Sequence, residues 1–148
     1  MEGTTTVAQV LRNKGHQVWS VAPDTSVFEA LRKMADHGVG ALLVMDGNAL
    51  AGIVSERDYA RKVILMGRAS RDTPVRDVMS EDVVTVTPES TMQDCMARMT
   101  EHHIRHLPVL RDGMVIGVIS IGDVVKATIS EQAFLIDQLQ RYIQGGAM

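Results

Sequence analysis

Apolar residues recur along this chain with two alternating periods, one typical of helices and one typical of strands. An apolar stripe with the i, i+3, i+4, i+7 spacing of a one-sided helix is formed by Val27, Ala30, Leu31 and Met34. The runs Ala41–Met45 and Leu50–Val54 are short, continuous and apolar, and a polar Asp-Gly-Asn turn joins them. This pattern predicts a hairpin of two buried strands. An extended segment, Val18–Val21, comes before the helix, and a second helix is predicted to begin at Ser55.

The same order of elements returns later in the chain. Sliding the sequence by 65 residues aligns 18–61 with 83–126 without a gap, and ten of the 44 aligned positions are identical. The second copy has a helix stripe at Met92, Cys95, Met96 and Met99. Its strands, His106–Leu110 and Met114–Ile119, meet through an Asp-Gly turn. Two copies are too few for a solenoid, so we predict two β-α-β-β-α units packed against each other.

Flanking segments extend each unit. Apolar spacing predicts a short helix around Val7–Leu11 before the first unit and its counterpart around Val75–Met79 before the second, with 66–74 as the linker. After the second unit, Ile129–Ile143 reads as a long amphipathic helix that ends at Gly145-Gly146. It carries more apolar surface than a lone terminal helix needs, which favours a partner subunit. The predicted class is α/β (α+β), divided into domains 1–73 and 74–148.

Composition and charge narrow the possible functions. The chain has 148 residues, 45% of them hydrophobic, and a net charge of −3, which excludes wholesale disorder. Its apolar runs are far shorter than the roughly 20 residues of a membrane span. Only 3% of the residues are aromatic and the pI is near 5.9, so the chain has few side chains for stacking on bases and no general positive charge. Neither nucleic acid nor membrane is therefore an expected partner. No secretory signal is visible, and a single cysteine, Cys95, fits a cytoplasmic location.

The residues that most suggest a binding site lie where the last strand of each unit runs into its second helix. Gly52–Asp58 and Gly117–Asp123 share the pattern Gly-h-h-Ser-x-x-Asp, in which h is apolar. One interpretation is a capping box that only stabilises the helix start. The other is a nucleotide grip, because free N–H groups and a serine hydroxyl suit a phosphate and a carboxylate suits the hydroxyls of a ribose.

Other polar residues give no sign of catalysis. His102, His103 and His106 do not have the spacing of a metal site, and neither Ser55 nor Ser120 has a histidine placed to activate it. We therefore expect no catalytic residue, no metal and no catalytic cofactor.

The duplicated units, their Gly-h-h-Ser-x-x-Asp ends and the segment Ile104–Val109 resemble a pair of CBS domains, a Bateman module. The resemblance implies pseudo-twofold packing of the repeats, a homodimer of modules, and clefts between the repeats that bind AMP, ADP, ATP, NAD(H) or S-adenosylmethionine. It implies that Asp58 and Asp123 hold ribose hydroxyls and that Ser55 and Ser120 contact the sugar or phosphates. It further implies that strand backbones line the adenine, at Ala41, Leu42, His106, Leu107 and Pro108.

The two units differ next to these ends. Arg105-His106 precedes the first hairpin strand of unit two, where unit one has Gly40-Ala41. Arg57 of unit one is replaced by Gly122 in unit two. Because arginine suits phosphate contacts, Arg57 and Arg105 are candidate ligand residues, and the two sites need not bind the same molecule.

Three functions follow from these observations. The leading one is a non-catalytic sensor that binds an adenine nucleotide and regulates an unknown protein target in trans. The alternatives are a structural dimerisation module without a ligand and, less favoured, an enzyme acting on nucleotides.

Overall fold

The computed structural model describes residues 4–146, and the fold is a mixed α+β one. The order helix, two-stranded hairpin, helix occurs twice, and a regular strand precedes it only in the first copy. The helices and strands, in chain order, are α1 (Val7–Lys14), β1 (Ser20–Val21), α2 (Val27–His37), β2 (Ala41–Asp46), β3 (Ala49–Ser55), α3 (Glu56–Tyr59, continued by a π-helical turn, Ala60–Ile64), α4 (Met92–His102), β4 (His106–Arg111), β5 (Met114–Ser120) and α5 (Ile121–Gly146). Two 3₁₀ turns, Ser70–Asp72 and Val75–Asp77, lie between the repeats. Both predicted hairpins and the predicted helices α1, α2 and α4 are thus confirmed.

The first helix of each repeat begins and ends in the same way. Ser26 and Thr91 are the N-caps of α2 and α4, and each accepts a hydrogen bond from the third helical N–H. At the other end, Gly38 and His103 both adopt the left-handed conformation, with φ of 64° and 54°. The two repeats therefore share a helix stop that glycine adopts freely and a histidine adopts at some cost.

Each hairpin belongs to a small sheet. In the first, β1 pairs with β2 in parallel, and β2 pairs with β3 in antiparallel register, with Ala41 opposite Ser55. In the second, β4 and β5 form the hairpin, and a single parallel bridge from Val86 to Val109 takes the place of β1. The extended segment predicted before α4 is therefore reduced to this one bridge.

The chain packs into two compact units that do not follow chain order. The repeat-one unit is Gln17–Val83 with Asp112–Val115, and the repeat-two unit is the described chain up to His16, with Val84–Arg111 and the chain from Ile116 onward. Helix α1 precedes repeat one in sequence, yet Val7 and Leu11 are buried in the repeat-two core. The predicted boundary at 73/74 divides the chain by order, whereas packing assigns α1 to the second repeat.

A glycine in each second hairpin strand makes room for a flanking segment. A Cβ at Gly117 would lie 2.7 Å from Cδ2 of Leu11 in α1. A Cβ at Gly52 would lie 2.8 Å from both Sδ of Met79 and the Ser80 carbonyl oxygen. Atoms do not approach a real Cβ this closely, so larger residues would push the flanking segment away.

Two segments differ from the sequence-based expectation. The helix beginning after Ser120 and the amphipathic helix over 129–143 are one continuous helix of 26 residues, because no glycine or proline interrupts it between Asp123 and Gln144. The counterpart of α1 predicted around Val75 is only a 3₁₀ turn, whose Val75 and Val78 are buried in the repeat-one core. Within residues 4–146, no helix combines the length and hydropathy needed to cross a bilayer.

We expect Leu11→Ala to lower the free energy of unfolding by about 2–5 kcal/mol, because a buried leucine side chain would leave a cavity. Urea denaturation followed by circular dichroism measures this. Leu65→Ala is the matched control, since Leu65 is 76% exposed, and it should change stability little. Equal effects of the two substitutions would contradict the placement of α1 in the core.

Candidate functional site

Ser55 and Asp58 are bonded to each other where β3 runs into α3. The Asp58 N–H donates to Ser55 Oγ at 3.2 Å, while the Ser55 N–H donates to Asp58 Oδ2 at 2.9 Å. The Ser55 hydroxyl also donates to this oxygen, at 3.0 Å. The pair is a reciprocal capping box, which satisfies backbone groups that a helix start leaves unpaired.

The second repeat builds the same box. The Asp123 N–H donates to Ser120 Oγ at 3.2 Å, and the Ser120 N–H donates to Asp123 Oδ2 at 2.8 Å. Thr91 and Asp94 at the start of α4 make equivalent bonds, of 2.9 and 3.1 Å. The capping interpretation is therefore confirmed as geometry at both serine–aspartate ends, and binding of a ligand there remains a proposal.

The two serine–aspartate boxes differ from the threonine box because each lies against the start of a hairpin. The Glu56 N–H donates to the Gly40 carbonyl at 3.1 Å, and the Ile121 N–H donates to the Arg105 carbonyl at 2.8 Å. These bonds bring Ala41 to the box of repeat one and His106 to the box of repeat two. We call the two places the repeat-one junction and the repeat-two junction.

The junctions collect most of the residues predicted from sequence. Asp58 and Asp123 are largely shielded, with side chains 15% and 19% exposed. Leu42, Leu107 and Pro108 are buried, so only their main chains are available to a ligand. Arg57 and Arg105 are exposed; Arg105 immediately precedes β4, and Arg57 lies in the first turn of α3.

Each junction also holds a lysine that sequence reasoning did not select. Lys62 Nζ lies 3.5 Å from Asp58 Oδ1 and donates to the Val78 carbonyl at 2.9 Å. Lys14 Nζ, from α1, lies 2.6 Å from Asp123 Oδ2 and donates to the Val118 carbonyl at 2.8 Å. The i, i+4 spacing of Asp58 and Lys62 could have indicated the first pair. Nothing local in the sequence indicates the second, which joins residues more than a hundred positions apart.

Burial, hydrogen bonds and neighbouring charges together shift the pKa values of two groups at the repeat-two junction. Burial acts to raise the pKa of Asp123, but the hydrogen bonds from Lys14 and Ser120 outweigh it and hold the pKa below its usual value. Burial lowers the pKa of His106, the cations Lys14 and Arg105 lower it further, and Asp123 opposes them. The junction therefore combines an ionised carboxylate with an imidazole that favours its neutral form.

Two features of the described chain outside the junctions are an open groove beside α2 and the buried thiol of Cys95. An open groove of about 660 Å³ runs beside α2, but Lys33 in its wall already donates to the Ser20 carbonyl. Burial raises the pKa of the Cys95 thiol to about 11, so it is protonated at neutral pH. Within the described chain, no three His, Cys, Asp or Glu side chains are grouped as metal ligands.

We expect His106 to make folding stability pH-dependent. Its folded pKa lies below its unfolded value of about 6.5, so its contribution is complete above that pH and is lost as the pH falls. Between pH 7.5 and 5.5, the free energy of unfolding should therefore fall more for the unsubstituted protein than for His106→Gln. His102→Gln, at an exposed helix end, is the control and should keep the unsubstituted slope. Parallel slopes for all three proteins would contradict the prediction.

Comparison with known proteins agrees with the duplicated fold. A family model for the CBS domain matches the chain twice, over residues 4–64 and 75–130. The CBS domain-containing protein CBSX3, mitochondrial, of Arabidopsis thaliana is 44% identical over 153 residues, which cover 97% of this chain and 74% of that protein. The CBS domain-containing protein YhcV of Bacillus subtilis is 32% identical over 117 residues, which cover 79% of this chain and 83% of YhcV.

A solved structure agrees as well. A candidate signal-transduction protein with CBS domains from Burkholderia ambifaria is 50% identical and superposes with a TM-score of 0.83, covering 86% of this chain and 96% of that one. Both repeats, from their helix caps to their serine–aspartate junctions, lie within the regions that the family model matches. The chain belongs to the CBS-domain family and carries a pair of CBS domains.

Proposed function

We propose that this CBS-domain pair is a non-catalytic regulatory module that binds an adenosine-containing nucleotide at its serine–aspartate junctions and acts on a partner protein in trans. The candidate ligands are AMP, ADP, ATP and NAD(H). The observation that carries the proposal is the placement of two half-shielded carboxylates, Asp58 and Asp123, each fixed beside the start of a hairpin strand.

The chemistry of the junction suits a nucleoside. A carboxylate accepts hydrogen bonds from the two hydroxyls of a ribose, and a serine hydroxyl can donate to a sugar or phosphate oxygen. At Asp123, both recorded contacts, from Ser120 and Lys14, fall on Oδ2, which leaves Oδ1 to accept from a ligand. Main-chain groups of the adjacent strand can pair with adenine, because the Leu42 and Leu107 side chains face the cores.

The capping box is compatible with this role and also prepares it. A carboxylate on a freely rotating side chain would lose conformational entropy on binding, whereas Asp58 and Asp123 are already held by their own main chain. The same box at Thr91 lies beside the segment that contains Thr6 rather than beside a hairpin strand, and its carboxylate, Asp94, is exposed. It is therefore a chemically matched control without the proposed site.

Asp123→Asn and Asp58→Asn should each weaken nucleotide binding at one junction by about tenfold, the loss expected when hydrogen bonds to a charged acceptor become bonds to a neutral one. Isothermal titration calorimetry with AMP, ATP and NADH measures this on protein freed of small molecules by refolding. Asp94→Asn alters a capping box in the same way and should leave affinity unchanged. If no nucleotide binds the unsubstituted protein below millimolar concentration, or if Asp94→Asn has the same effect, the proposal is wrong.

The long helix α5 favours self-association as a second part of this function. Large apolar side chains remain exposed along this helix. Six positions follow each other at alternating steps of four and three residues, and all but Gln132 are apolar: Val125, Ile129, Gln132, Ile136, Leu139 and Ile143. This is the heptad spacing of two helices that pack along a common seam, and one polar residue in such a seam sets its register. We propose that the partner is a second copy of this chain, because an identical helix offers a self-complementary stripe.

Ile136→Glu places a charge in the centre of the proposed seam, at a residue that is 56% exposed in the single chain. It should convert a dimer into a monomer, as measured by light scattering coupled to size-exclusion chromatography. Gln138→Glu adds the same charge at a neighbouring position of α5 that is not part of the seam, and it should leave the dimer intact. A monomeric unsubstituted protein, or a dimer insensitive to Ile136→Glu, would contradict the pairing.

The predicted location is the cytoplasm. The single thiol, Cys95, is buried in the repeat-two core, and use of cysteine as a core residue rather than in a disulfide suits a reducing compartment.

A further inference from the structure

A lysine from the helix that precedes repeat one in the chain lies at the repeat-two junction. Lys14 is the last residue of α1, and its ammonium bonds both the Asp123 carboxylate and the Val118 carbonyl. We propose that Lys14 is a specificity residue of this junction, which selects nucleotides carrying phosphate groups over uncharged adenosine; the inference rests on the proposed function.

The base of the Lys14 side chain is held in place by α1. Two residues of this helix, Val7 and Leu11, are buried in the repeat-two core. The helix start is also tied by main-chain bonds, from the Val7 N–H to the Ser90 carbonyl at 2.8 Å and from the Ala8 N–H to the Pro88 carbonyl at 2.9 Å. Only the flexible stem of Lys14 is therefore free to move its charge from one acceptor to another near the junction.

The charge balance of the junction favours an anion. Two cations, Lys14 and Arg105, act there together with one carboxylate, Asp123, and both cations lower the pKa of His106. The surrounding groups thus produce an excess of positive potential at the start of β4. When ribose hydroxyls use Asp123, the ammonium that shared this carboxylate can bond the phosphate attached to the same sugar, since ammonium and phosphate form strong charge-assisted bonds.

Repeat one is built differently at the corresponding place. Its lysine, Lys62, lies one turn after Asp58, and the residue aligned with Lys62 in repeat two is the buried Ala127. Its strand start is Gly40-Ala41, which carries no cation. Only the repeat-two junction combines a cation from a separate helix with cationic character at the strand start, so phosphate selection is assigned to that junction.

The test compares ATP with adenosine by calorimetry, without Mg²⁺, in an Asp58→Asn background that weakens the repeat-one junction. Lys14→Met should lower the ratio of ATP affinity to adenosine affinity by about tenfold, as expected for the loss of one charge-assisted bond. Lys14→Arg keeps the positive charge and should give nearly the same affinity ratio as the parent with Lys14. Lys126→Met removes an exposed lysine of α5 and is the matched control, for which the ratio should not change.

Each other outcome has a definite meaning. If Lys14→Met leaves the ratio unchanged, or weakens ATP and adenosine equally, Lys14 only holds Asp123 in place and the inference is wrong. If the unsubstituted protein binds neither molecule, the proposed function itself fails. If it binds ATP but the Asp58→Asn parent binds neither molecule, or binds both without preference, the repeat-two junction does not select phosphate and only the inference is wrong. A second measurement needs no substitution at Lys14: added NaCl should weaken ATP more than adenosine, and equal weakening would also overturn the inference.

Discussion

One main-chain hydrogen bond in each repeat decides where its polar residues meet. It runs from the first helical N–H after the cap serine to the carbonyl just before the hairpin: Glu56 to Gly40 in repeat one and Ile121 to Arg105 in repeat two. The first N–H groups of a helix have no partner within the helix, so they bond to acceptors outside it. Because that acceptor is the carbonyl just before the hairpin, the capping aspartate lies beside β2 in repeat one and beside β4 in repeat two. Without this bond the serine–aspartate pair would be an ordinary helix cap.

The same four-residue box therefore has two different surroundings in one molecule. At Thr91 it begins a helix whose carboxylate faces solvent, while at Ser55 and Ser120 it orients a half-shielded carboxylate next to main-chain groups of a strand. The local chemistry of the three boxes is alike, and the difference lies in what packs beside them.

Duplication has produced two junctions that are alike in main chain and unlike in charge. Repeat one supplies its cation from its own helix, through the π-helical turn that contains Lys62. Repeat two has the small, buried Ala127 at that position and receives its cation from α1. Helix α1 is held by Leu11, which packs where Gly117 leaves space. The packing of Leu11 in the core thus helps to place the charge of Lys14, three residues further along the same helix, beside Asp123.

Much of this molecule could be predicted from its residues alone. The two repeats, the caps at Ser26 and Thr91, both hairpins and the serine–aspartate ends follow from periods and short motifs, because helix capping, turn formation and amphipathic spacing depend on neighbours in sequence. Two long-range features did not follow: the placement of α1 in the core of repeat two and the pairing of Lys14 with Asp123. Both depend on which of the two similar apolar cores α1 packs against. Its two buried residues, Val7 and Leu11, would suit either core, so the sequence of α1 does not indicate which one it joins. Contacts between residues far apart in the chain decide it, so only the tertiary structure could show it.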